Sequence, residues 1–524
     1  MNFSFNLIDE PWIPCLPVGG GPTELVSLRR ALLGARDFRE IYSESPLVTI
    51  SLYRLLLAVI YRACVPLDIG AVSGWLRDGM PRDRIEAYLE KWHDRFDLFS
   101  ESHPFFQTAG MAMKAEGGLE RLAHERNFTT IFGDTIDPAE HIYQPYEIAQ
   151  FLVAAQAYSL GFGKSGNVVL DGEEVTPPYS ADALVLRGAT VWITSDTLER
   201  SLLLNCVPYN LTDDESEQDL PSWEQDRPHD LRDVSAGKER VTVPARGFAD
   251  RYTWQSRLIR LLPEEHDGEA RVRAMFFAQG RSADKDSYDP MKAYVLDEKT
   301  GESTVNVSIG KAMWRNAQVL LPGKERNRKE PMVSRLPGML IRAGAVKPEE
   351  RYNLNSVGLA TAPNKAGKFM LWRHDRMPVR ARMFDDKALV EILDTCLNAA
   401  ETVATQLSIS VNGLCRHYLA LGDRNPDPAD VRKLADSLQA REDYWAALEP
   451  DFYTFLDMLP EAPEAAQEWW IAQVDRRQRS AYDAAVMRLG QSLRATVAAA
   501  RARRIFDPFN EKKPKKSKRK EAAS

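Results

Sequence analysis

Apolar residues recur at steps of three and four positions in several parts of the chain, which is the pattern of helices with one buried face. Such steps predict helices over residues 46–65, 82–97 and 145–160. The stripe of the third helix consists of Ile148, Phe151, Leu152 and Ala155. We interpret all three as structural helices that pack in a core.

Shorter apolar and β-branched runs, bounded by turn-forming residues, predict strands in the first 385 residues. The expected strands are residues 5–10, 184–186, 191–193, 257–262, 293–296 and 304–307. Pro11 and Pro14 should end the first of these, because proline cannot continue a central ladder. Residues 184–186 and 191–193 form one expected hairpin, and the last two runs form another.

The pattern changes around Asp385, beyond which strand signals almost disappear. Helical steps run over residues 387–421, 430–448 and 464–504, and the last run predicts one helix far longer than average. Prolines are expected at the turns, namely Pro426, Pro428, Pro450, Pro460 and Pro463. The predicted fold is α+β: a mixed α/β domain over residues 1–385, an up-and-down four-helix bundle over residues 386–506, and a basic disordered tail over residues 507–524.

One stretch combines glycine and lysine in an unusual way, Tyr158-Ser159-Leu160-Gly161-Phe162-Gly163-Lys164-Ser165-Gly166-Asn167. Gly161 stands where a C-cap would end the helix, and Gly163 and Gly166 leave the backbone free of Cβ atoms. Lys164 adds a positive charge beside this backbone. A phosphate, or the edge of a nucleic-acid groove, is therefore the expected ligand.

Two other interpretations of this stretch stay open. It can be a plain connection between a helix and a strand. It can also be a nucleotide-binding P-loop, since Gly163-Lys164-Ser165 matches the end of G-x-x-x-x-G-K-[ST]. Against the P-loop, Tyr158 occupies the position of the first glycine, and the predicted element before the loop is a helix.

Composition limits location and partners. There is no run of about 18 apolar residues, so no membrane-spanning helix is predicted, and the N-terminus lacks the features of a signal peptide. The well-separated cysteines, Cys15, Cys64, Cys206, Cys396 and Cys415, favour a reducing cytoplasm and no zinc site. The net charge of −7 includes +5 from residues 511–524, a tail that predicts weak phosphate attraction.

The one indication of catalysis is a set of His-Asp dipeptides: His93-Asp94, His229-Asp230, His266-Asp267 and His374-Asp375. A metal-dependent HD-type hydrolase or nuclease would need several such donors around one ion. Nothing in their spacing brings them together, and no Gly-x-Ser-x-Gly or His-Glu-x-x-His motif occurs. This enzyme is the alternative hypothesis.

Several short segments follow one another in a distinctive order from the N-terminus to about residue 506. They are Asn6-Leu7-Ile8-Asp9-Glu10-Pro11-Trp12-Ile13-Pro14, His103-Pro104-Phe105-Phe106-Gln107-Thr108, Asn127-Phe128-Thr129, Gly161-Phe162-Gly163-Lys164-Ser165-Gly166, Pro221-Ser222-Trp223, Gly247-Phe248 with Tyr252-Thr253-Trp254-Gln255, and Arg373-His374-Asp375. In this order they resemble the CasA family, the large subunits of the type I-E CRISPR surveillance complex Cascade.

The resemblance implies a non-catalytic cytoplasmic protein of antiviral defence that needs no cofactor and no metal. Such a subunit recognises the protospacer-adjacent motif (PAM) in double-stranded target DNA, helps to open the duplex for crRNA pairing, and recruits the nuclease-helicase. Its other implied partners are the crRNA-containing Cascade subunits, namely the 5′-handle-binding, backbone and small subunits. The resemblance implies no association with a membrane. In such complexes the guide RNA recognises the target sequence by base pairing, and the protein recognises only the short motif.

In the family a glycine-rich loop reads the PAM from the minor groove, which is too narrow for bulky side chains. The matching positions here are Gly161, Phe162, Gly163 and Lys164. An aspartate at Gly161 or Gly163 is therefore expected to weaken duplex binding and to leave folding intact.

The resemblance also implies a wedge hairpin and a docking loop. The wedge would include Asn364, Lys365 and Lys368, with a plain surface hairpin as the alternative. The docking loop at the crRNA handle would include Asn127, Phe128 and Thr129.

A further lysine finger of the family follows the strand 257–262. This chain has no lysine from Glu264 to Gln279 and only the bases Arg271 and Arg273, so no residue is assigned to that role.

Overall fold

The computed structural model describes residues 3–506, with the exception of residues 67, 123–141, 162, 171, 209–217, 227–240, 285–287, 298–300, 309, 325–326, 362–368 and 421–424. The chain divides into two compact units, Met1–Val390 and Glu391–Ser524. The first is mixed α/β and the second is helical where described. This confirms the α+β class.

The first unit contains short helices around one long central helix. The helices are α1 (Leu28–Leu33), α2 (Pro46–Cys64), α3 (Ile69–Asp78), α4 (Arg82–Lys91), α5 (Pro145–Tyr158), α6 (Leu198–Asn205), α7 (Phe248–Tyr252), α8 (Ala317–Leu320) and α9 (Met332–Arg342). Single 3-10 turns occupy His93–Arg95, Leu119–Arg121, Ser222–Glu224, Met313–Asn316 and Ala381–Phe384.

Most strands of this unit are short. They are β1 (Ile13–Pro17), β2 (Glu24–Val26), β3 (Phe38–Ile41), β4 (Ala112–Met113), β5 (Gly117–Gly118), β6 (Val168–Leu170), β7 (Glu173–Val175), β8 (Thr190–Thr194), β9 (Thr242–Val243), β10 (Arg257–His266), β11 (Glu269–Gln279), β12 (Ser282–Ala283), β13 (Tyr294–Asp297), β14 (Gly301–Thr304), β15 (Arg328–Lys329), β16 (Arg351–Thr361) and β17 (Phe369–Arg380). The antiparallel sheets have the orders β2-β1-β3, β4-β6-β7, β10-β11-β5, β14-β13-β15 and β17-β16-β8, and β12 pairs with β9 in parallel.

Three strand predictions are wrong. The strand expected at residues 304–307 is displaced to β14, where Tyr294 pairs with Thr304 and Asp297 with Gly301. Residues 184–186 do not pair with β8, because the Val185 N–H donates to the Ala157 carbonyl of α5 and β8 pairs with β16 instead. The strand expected at residues 5–10 is replaced by a turn, in which the Ile8 N–H donates to the Asn6 side chain. The strand β1 begins later, at Ile13, and is the centre of its sheet.

Two of the motif segments that carry the resemblance, residues 103–108 and 221–223, meet in the core. Phe105 stacks on Phe96 with ring centroids 5.1 Å apart and lies 6.2 Å from Trp223. The side chain of Gln107 donates to the Leu98 carbonyl and accepts from the N–H of Leu261. These residues therefore define the fold and not a surface site.

Helix α2 is the central element of this core. Its length and composition would suffice to cross a membrane, but 89% of its most apolar window is buried inside the protein. Arg54, in the middle of the helix, forms two buried hydrogen bonds of 3.0 and 2.9 Å to the Asp289 carboxylate. Burial alone would raise the pKa of Asp289, but the Arg54 charge lowers it to about 2.

The helices beyond Asp385 are α10 (Lys387–Leu419), α11 (Pro428–Ser437), α12 (Ala440–Met458), α13 (Pro463–Leu489) and α14 (Leu493–Phe506). The Tyr444 hydroxyl of α12 donates to the Ala400 carbonyl, 3.0 Å away, and the Trp470 indole of α13 donates to the Cys396 carbonyl, 2.9 Å away. Both α12 and α13 thus pack on α10.

Two details of this helical region differ from the sequence prediction. The long helix over residues 464–504 ends at Gly490, whose φ of +102° suits glycine, and a new helix starts at Leu493. Pro450 lies inside α12 and not at a turn. Buried residues on both sides of it, Leu448 and Phe452, hold the helix together despite the proline.

Breaking the buried ion pair between Arg54 and Asp289 should lower the stability of the first unit. Replacing Arg54 with alanine leaves the Asp289 carboxylate buried without its main counter-charge, so we expect the free energy of unfolding to fall by about 3–5 kcal/mol. Denaturant unfolding followed by tryptophan fluorescence measures the change. Arg77→Ala is the control, because Arg77 and its partner Asp78 are 75% and 67% exposed. Equal midpoints for the two variants would contradict the prediction.

Candidate nucleic-acid interface

The glycine-rich loop connects the end of α5 to the start of β6. This order of helix, loop and strand is the reverse of a P-loop, so no helix N-terminus follows the glycines to bind a phosphate. Of the predicted loop residues, Gly161, Gly163 and Lys164 are described, whereas Phe162 lies outside the described residues.

The loop begins at one end of the β17-β16-β8 sheet. The hydroxyl of Tyr158, the last residue of α5, donates a hydrogen bond of 2.9 Å to the hydroxyl of Thr190, the first residue of β8. Both side chains are fully buried, and burial raises the pKa of Tyr158 far above its ordinary value. The hydroxyl therefore stays protonated and fixes the end of the helix against the sheet.

A buried guanidinium holds the first residues of the loop. Arg257 is completely buried, and its Nη2 donates to the carbonyls of Ser159, Leu160 and Ala181 at 3.1, 3.0 and 2.7 Å. The first two carbonyls directly follow α5, where a positive charge also matches the helix dipole. Arg257 thereby joins the start of the loop to the segment 179–182.

Two glutamines complete this support. The Gln156 amide accepts from the Arg257 N–H and donates to the Arg257 carbonyl, at 2.8 and 3.0 Å. The side-chain oxygen of Gln279 accepts a hydrogen bond of 2.7 Å from the Ala181 N–H. Buried glutamine side chains therefore hold the main chain of Arg257 and the main chain of Ala181, one of the residues that Arg257 binds.

Gly161 is tightly packed. Its N–H donates to Asp182 at 2.8 Å, and the other oxygen of that carboxylate accepts from Arg187 at 2.7 Å. A Cβ atom added at Gly161 would lie 2.8 Å from the carbonyl oxygen of Ser180. The expectation that Asp at this position leaves folding intact is therefore wrong, because the side chain would meet main chain.

Gly163 and Gly166 are open. A Cβ added at either position would have no described heavy atom within 4 Å beyond its chain neighbours. Gly166 has a φ of +92°, a conformation that favours glycine. The bare main chain expected from the sequence is thus restricted to residues 163–166.

Charged side chains of both signs lie at the loop. The Lys164 ammonium lies 5.3 Å from the ring centroid of the exposed Tyr179. The Glu174 carboxylate accepts a hydrogen bond of 2.8 Å from the Asn167 amide. A phosphate would therefore be attracted to Lys164.

The strand after the loop is anchored by apolar contacts. Val168 and Leu170 of β6 form a small buried cluster with Met111, Leu258 and Ala278. The loop is therefore held at both ends and open in the middle.

The predicted wedge residues Asn364, Lys365 and Lys368 lie outside the described residues, but the strands that carry them are described. Val357 of β16 pairs with Thr190, and β16 continues to Thr361 beyond the start of β8. Strand β17 returns from Phe369 in antiparallel register. The connection 362–368 therefore starts from the same end of the sheet as the glycine-rich loop.

The docking loop is not tested by the described residues, and the two arginines near the expected lysine finger, to which no role is assigned, are paired locally. Asn127, Phe128 and Thr129 lie outside the described residues, so their role stays a prediction. Arg271 and Arg273 form ion pairs with Glu269 and Glu264 of their own hairpin, at 2.6 and 3.2 Å.

The three described His-Asp dipeptides lie in separate places. His93 contacts Asp9 at 2.8 Å, His266 is at the tip of the β10–β11 hairpin, and His374 stacks on Trp192. His229 and Asp230 lie outside the described residues. In the part of the chain that the structure describes, no three His, Cys, Asp or Glu side chains are close enough to hold a metal ion.

Comparison with known proteins assigns the family. The profile of the CRISPR-associated protein Cse1 family matches residues 6–486. The chain is 31% identical over 522 residues to the CRISPR-associated protein CasA/Cse1 of Thermus thermophilus, with 96% of each protein covered. The chain belongs to the Cse1 (CasA) family. This confirms the family that the motif order resembles.

Solved structures of Cse1 proteins have the same fold. The crystal structure of CasA from Thermus thermophilus aligns with a TM-score of 0.79 at 29% identity, covering 96% of this chain and 98% of the other. Cse1 from Acidimicrobium ferrooxidans aligns with a TM-score of 0.76 at 23% identity, covering 97% of both chains. A chain of a CRISPR RNA-guided surveillance complex aligns with a TM-score of 0.76 at 18% identity, covering 96% of this chain and 99% of that one.

For this Cse1-family chain, sequence reasoning located the loop but missed the residues that hold it. The apolar pattern places Arg257 in a strand and Gln156 in a helix, and it predicts no role in loop support for either residue. The available signal was a polar residue in an otherwise apolar element, since buried polar side chains need partners. Which partners they have depends on residues about a hundred positions away, as in the pair Arg257 and Gln156, 101 positions apart.

Alanine substitutions should distinguish the packed Gly161 from the open Gly163 by their effect on stability. Gly161→Ala is expected to lower the free energy of unfolding by about 1–3 kcal/mol, because the methyl group would overlap the Ser180 carbonyl. Gly163→Ala should leave it unchanged within about 0.5 kcal/mol. Denaturant titration of both variants and the parent measures this difference. A destabilised Gly163→Ala, or a neutral Gly161→Ala, would contradict the described packing.

Proposed function

We propose that this protein is the non-catalytic large subunit of a type I-E CRISPR RNA-guided surveillance complex. In that role it recognises the PAM in double-stranded target DNA, helps to open the duplex for crRNA pairing and recruits the nuclease-helicase. Membership of the Cse1 family supports the subunit role. The proposed partners are the crRNA-containing subunits, target DNA and the nuclease-helicase, all in the cytoplasm.

DNA recognition is supported by one observation: the described elements that lead into the two candidate contacts, α5 and β16, meet β8 at the same end, at Thr190. The glycine-rich loop starts beside Thr190, and the hairpin connection 362–368 follows β16 beyond the residue that pairs with Thr190. A duplex lying across this end of the sheet could contact both the loop and the hairpin connection. The glycine-rich loop would recognise the PAM, and the hairpin connection would separate the adjoining base pair.

The open part of the loop suits a minor groove. That groove is about 6 Å wide and displays a limited pattern of donors and acceptors. A Cβ position at Gly163 has no described heavy atom within 4 Å beyond its chain neighbours, so this face of the residue is open to a groove, and Lys164 can neutralise a phosphate at the rim. Because the loop is already fixed at Gly161, its main chain would lose little conformational entropy on binding DNA.

The helices beyond Asp385 form the second part of the proposal. We propose that the four long helices α10, α12, α13 and α14 make an up-and-down bundle, with the short α11 in a connection. In an assembled complex such a bundle would supply a rigid surface for neighbouring subunits.

Aspartate at Gly163 tests the DNA contact. Gly163→Asp should leave the unfolding midpoint unchanged but weaken binding of target duplex by about tenfold or more, because the carboxylate would face phosphates. Affinity is measured on the assembled complex with duplexes that differ only in the base pairs beside the protospacer. Gly19→Asp is the matched control, since a Cβ there is also in open space. Parental affinity for Gly163→Asp would rule out this loop as the reader.

Alanine at Phe128 tests the docking loop. An aromatic side chain seated in a partner pocket often dominates an interface, so Phe128→Ala should reduce the amount of this subunit that co-purifies with the crRNA-containing complex. The amount bound at a series of subunit concentrations gives the change in affinity. Tyr42→Ala, which removes another exposed aromatic ring, is the control. Unchanged co-purification would count against the docking role.

A further inference from the structure

Tyr179 is an exposed aromatic side chain on a restrained stretch of main chain. It is 62% exposed, whereas the neighbouring Ser180 is 8% exposed and Pro177 is also buried. Pro177 and Pro178 restrict the backbone before it. The segment therefore directs one large ring towards solvent while the residues around it are held in the protein.

The glycine-rich loop and the Tyr179 segment are joined directly. The Ser180 N–H donates to the Gly163 carbonyl at 3.4 Å, and both main-chain groups of Ala181 are bound by the buried Gln279 and Arg257. The ring thus has a defined position beside the open glycines. A tyrosine has only two side-chain torsions to restrict, so ordering it on a ligand costs little entropy.

Lys164 and Tyr179 form a cation and ring pair, with the ammonium 5.3 Å from the ring centroid. Proteins that bind single-stranded nucleic acid combine these two groups, the ring for stacking on a base and the cation for the phosphate. The Glu174 carboxylate is bound to the Asn167 amide. The phosphate backbone should therefore approach Lys164, the cation beside Tyr179.

We propose that Tyr179 is a nucleic-acid contact that stacks on an unpaired base of target DNA when the duplex opens beside the glycine-rich loop. Lys164 binds the adjoining phosphate. Because stacking uses the face of any base, this contact stabilises opened DNA without selecting a sequence. The inference rests on the proposed function, and it adds a residue that holds the opened strand next to the loop that reads the motif.

The test uses the assembled complex and two forms of one target, a full duplex and the same duplex with the first protospacer base pairs already mismatched. Tyr179→Ala should lower the affinity for both forms by about tenfold, because stacking is lost in each. Tyr179→Phe should bind like the parent, since the ring remains. A fluorescent 2-aminopurine at the first unpaired position should be quenched in the parent and in Tyr179→Phe but not in Tyr179→Ala.

The matched control is Tyr288→Ala. Tyr288 is 44% exposed and has the Lys329 ammonium 3.8 Å from its ring centroid, but it lies on the segment before β13. This variant should bind both targets like the parent. A similar loss for Tyr288→Ala would overturn the proposal, because any exposed tyrosine and lysine pair would then serve.

The remaining outcomes separate this inference from the proposed function. Parental binding and quenching by Tyr179→Ala, together with lost binding by Gly163→Asp, would refute the stacking role and leave the proposed function standing. Parental binding by both variants would refute the proposed function as well. Loss of binding by Tyr179→Phe would show that the hydroxyl group is needed and would refute stacking. Unfolding midpoints equal to the parent confirm that each variant is folded.

Discussion

The DNA-facing edge proposed here depends on one buried guanidinium. Arg257 lies beneath the glycine-rich loop and binds carbonyl groups from two chain segments, the end of α5 and the segment that contains Ala181. The Ser159 carbonyl also accepts from the Ala183 N–H, so the helix end is held by main chain and by the guanidinium together. Buried carbonyl groups without partners are costly, and Arg257 supplies one side chain that joins the helix terminus to the second segment.

Buried charge is used in a related way deeper in the same unit. The Lys292 ammonium donates to the carbonyls of Val185 and Arg187, and it lies near the Arg54–Asp289 pair. Burial lowers the pKa of Lys292 to about 7, although Asp289 acts to raise it. The segment 183–189 has no strand partner of its own and is held by these side chains and by α5. Irregular main chain is therefore fixed by polar groups where no sheet is available.

This arrangement explains how a loop can be both bare and well defined. The Cβ positions of Gly163 and Gly166 face open space among the described residues, yet Gly161 and Val168 at the two ends are packed. A groove reader needs main chain that is accessible, and it gains affinity when that main chain is already ordered. The charge on Lys164 and the exposed Tyr179 lie on the same edge, so the accessible backbone and the groups that could bind phosphate and base occur together.

The sequence by itself determined the α+β class, the family, the helix that precedes the loop and the loop's place in the chain, because helical periodicity and glycine content depend on neighbouring residues. Only the tertiary structure decided that β8 pairs with β16, that Gly161 is packed while Gly163 is open, and that the helix over residues 464–504 ends at Gly490. Apolar residues continue at helical steps across the break, so periodicity alone does not show it, and Gly490 is the one local signal of a helix end. Beyond the break Leu493 and Val497 are exposed, and the buried face is formed by Ala495, Ala498 and Ala502. The difference between the two glycines is set by Ser180 and Asp182, and the support of the loop by Arg257, 98 positions beyond Ser159. Contacts at such separations follow from the packed arrangement of the elements, which no local pattern of residues records.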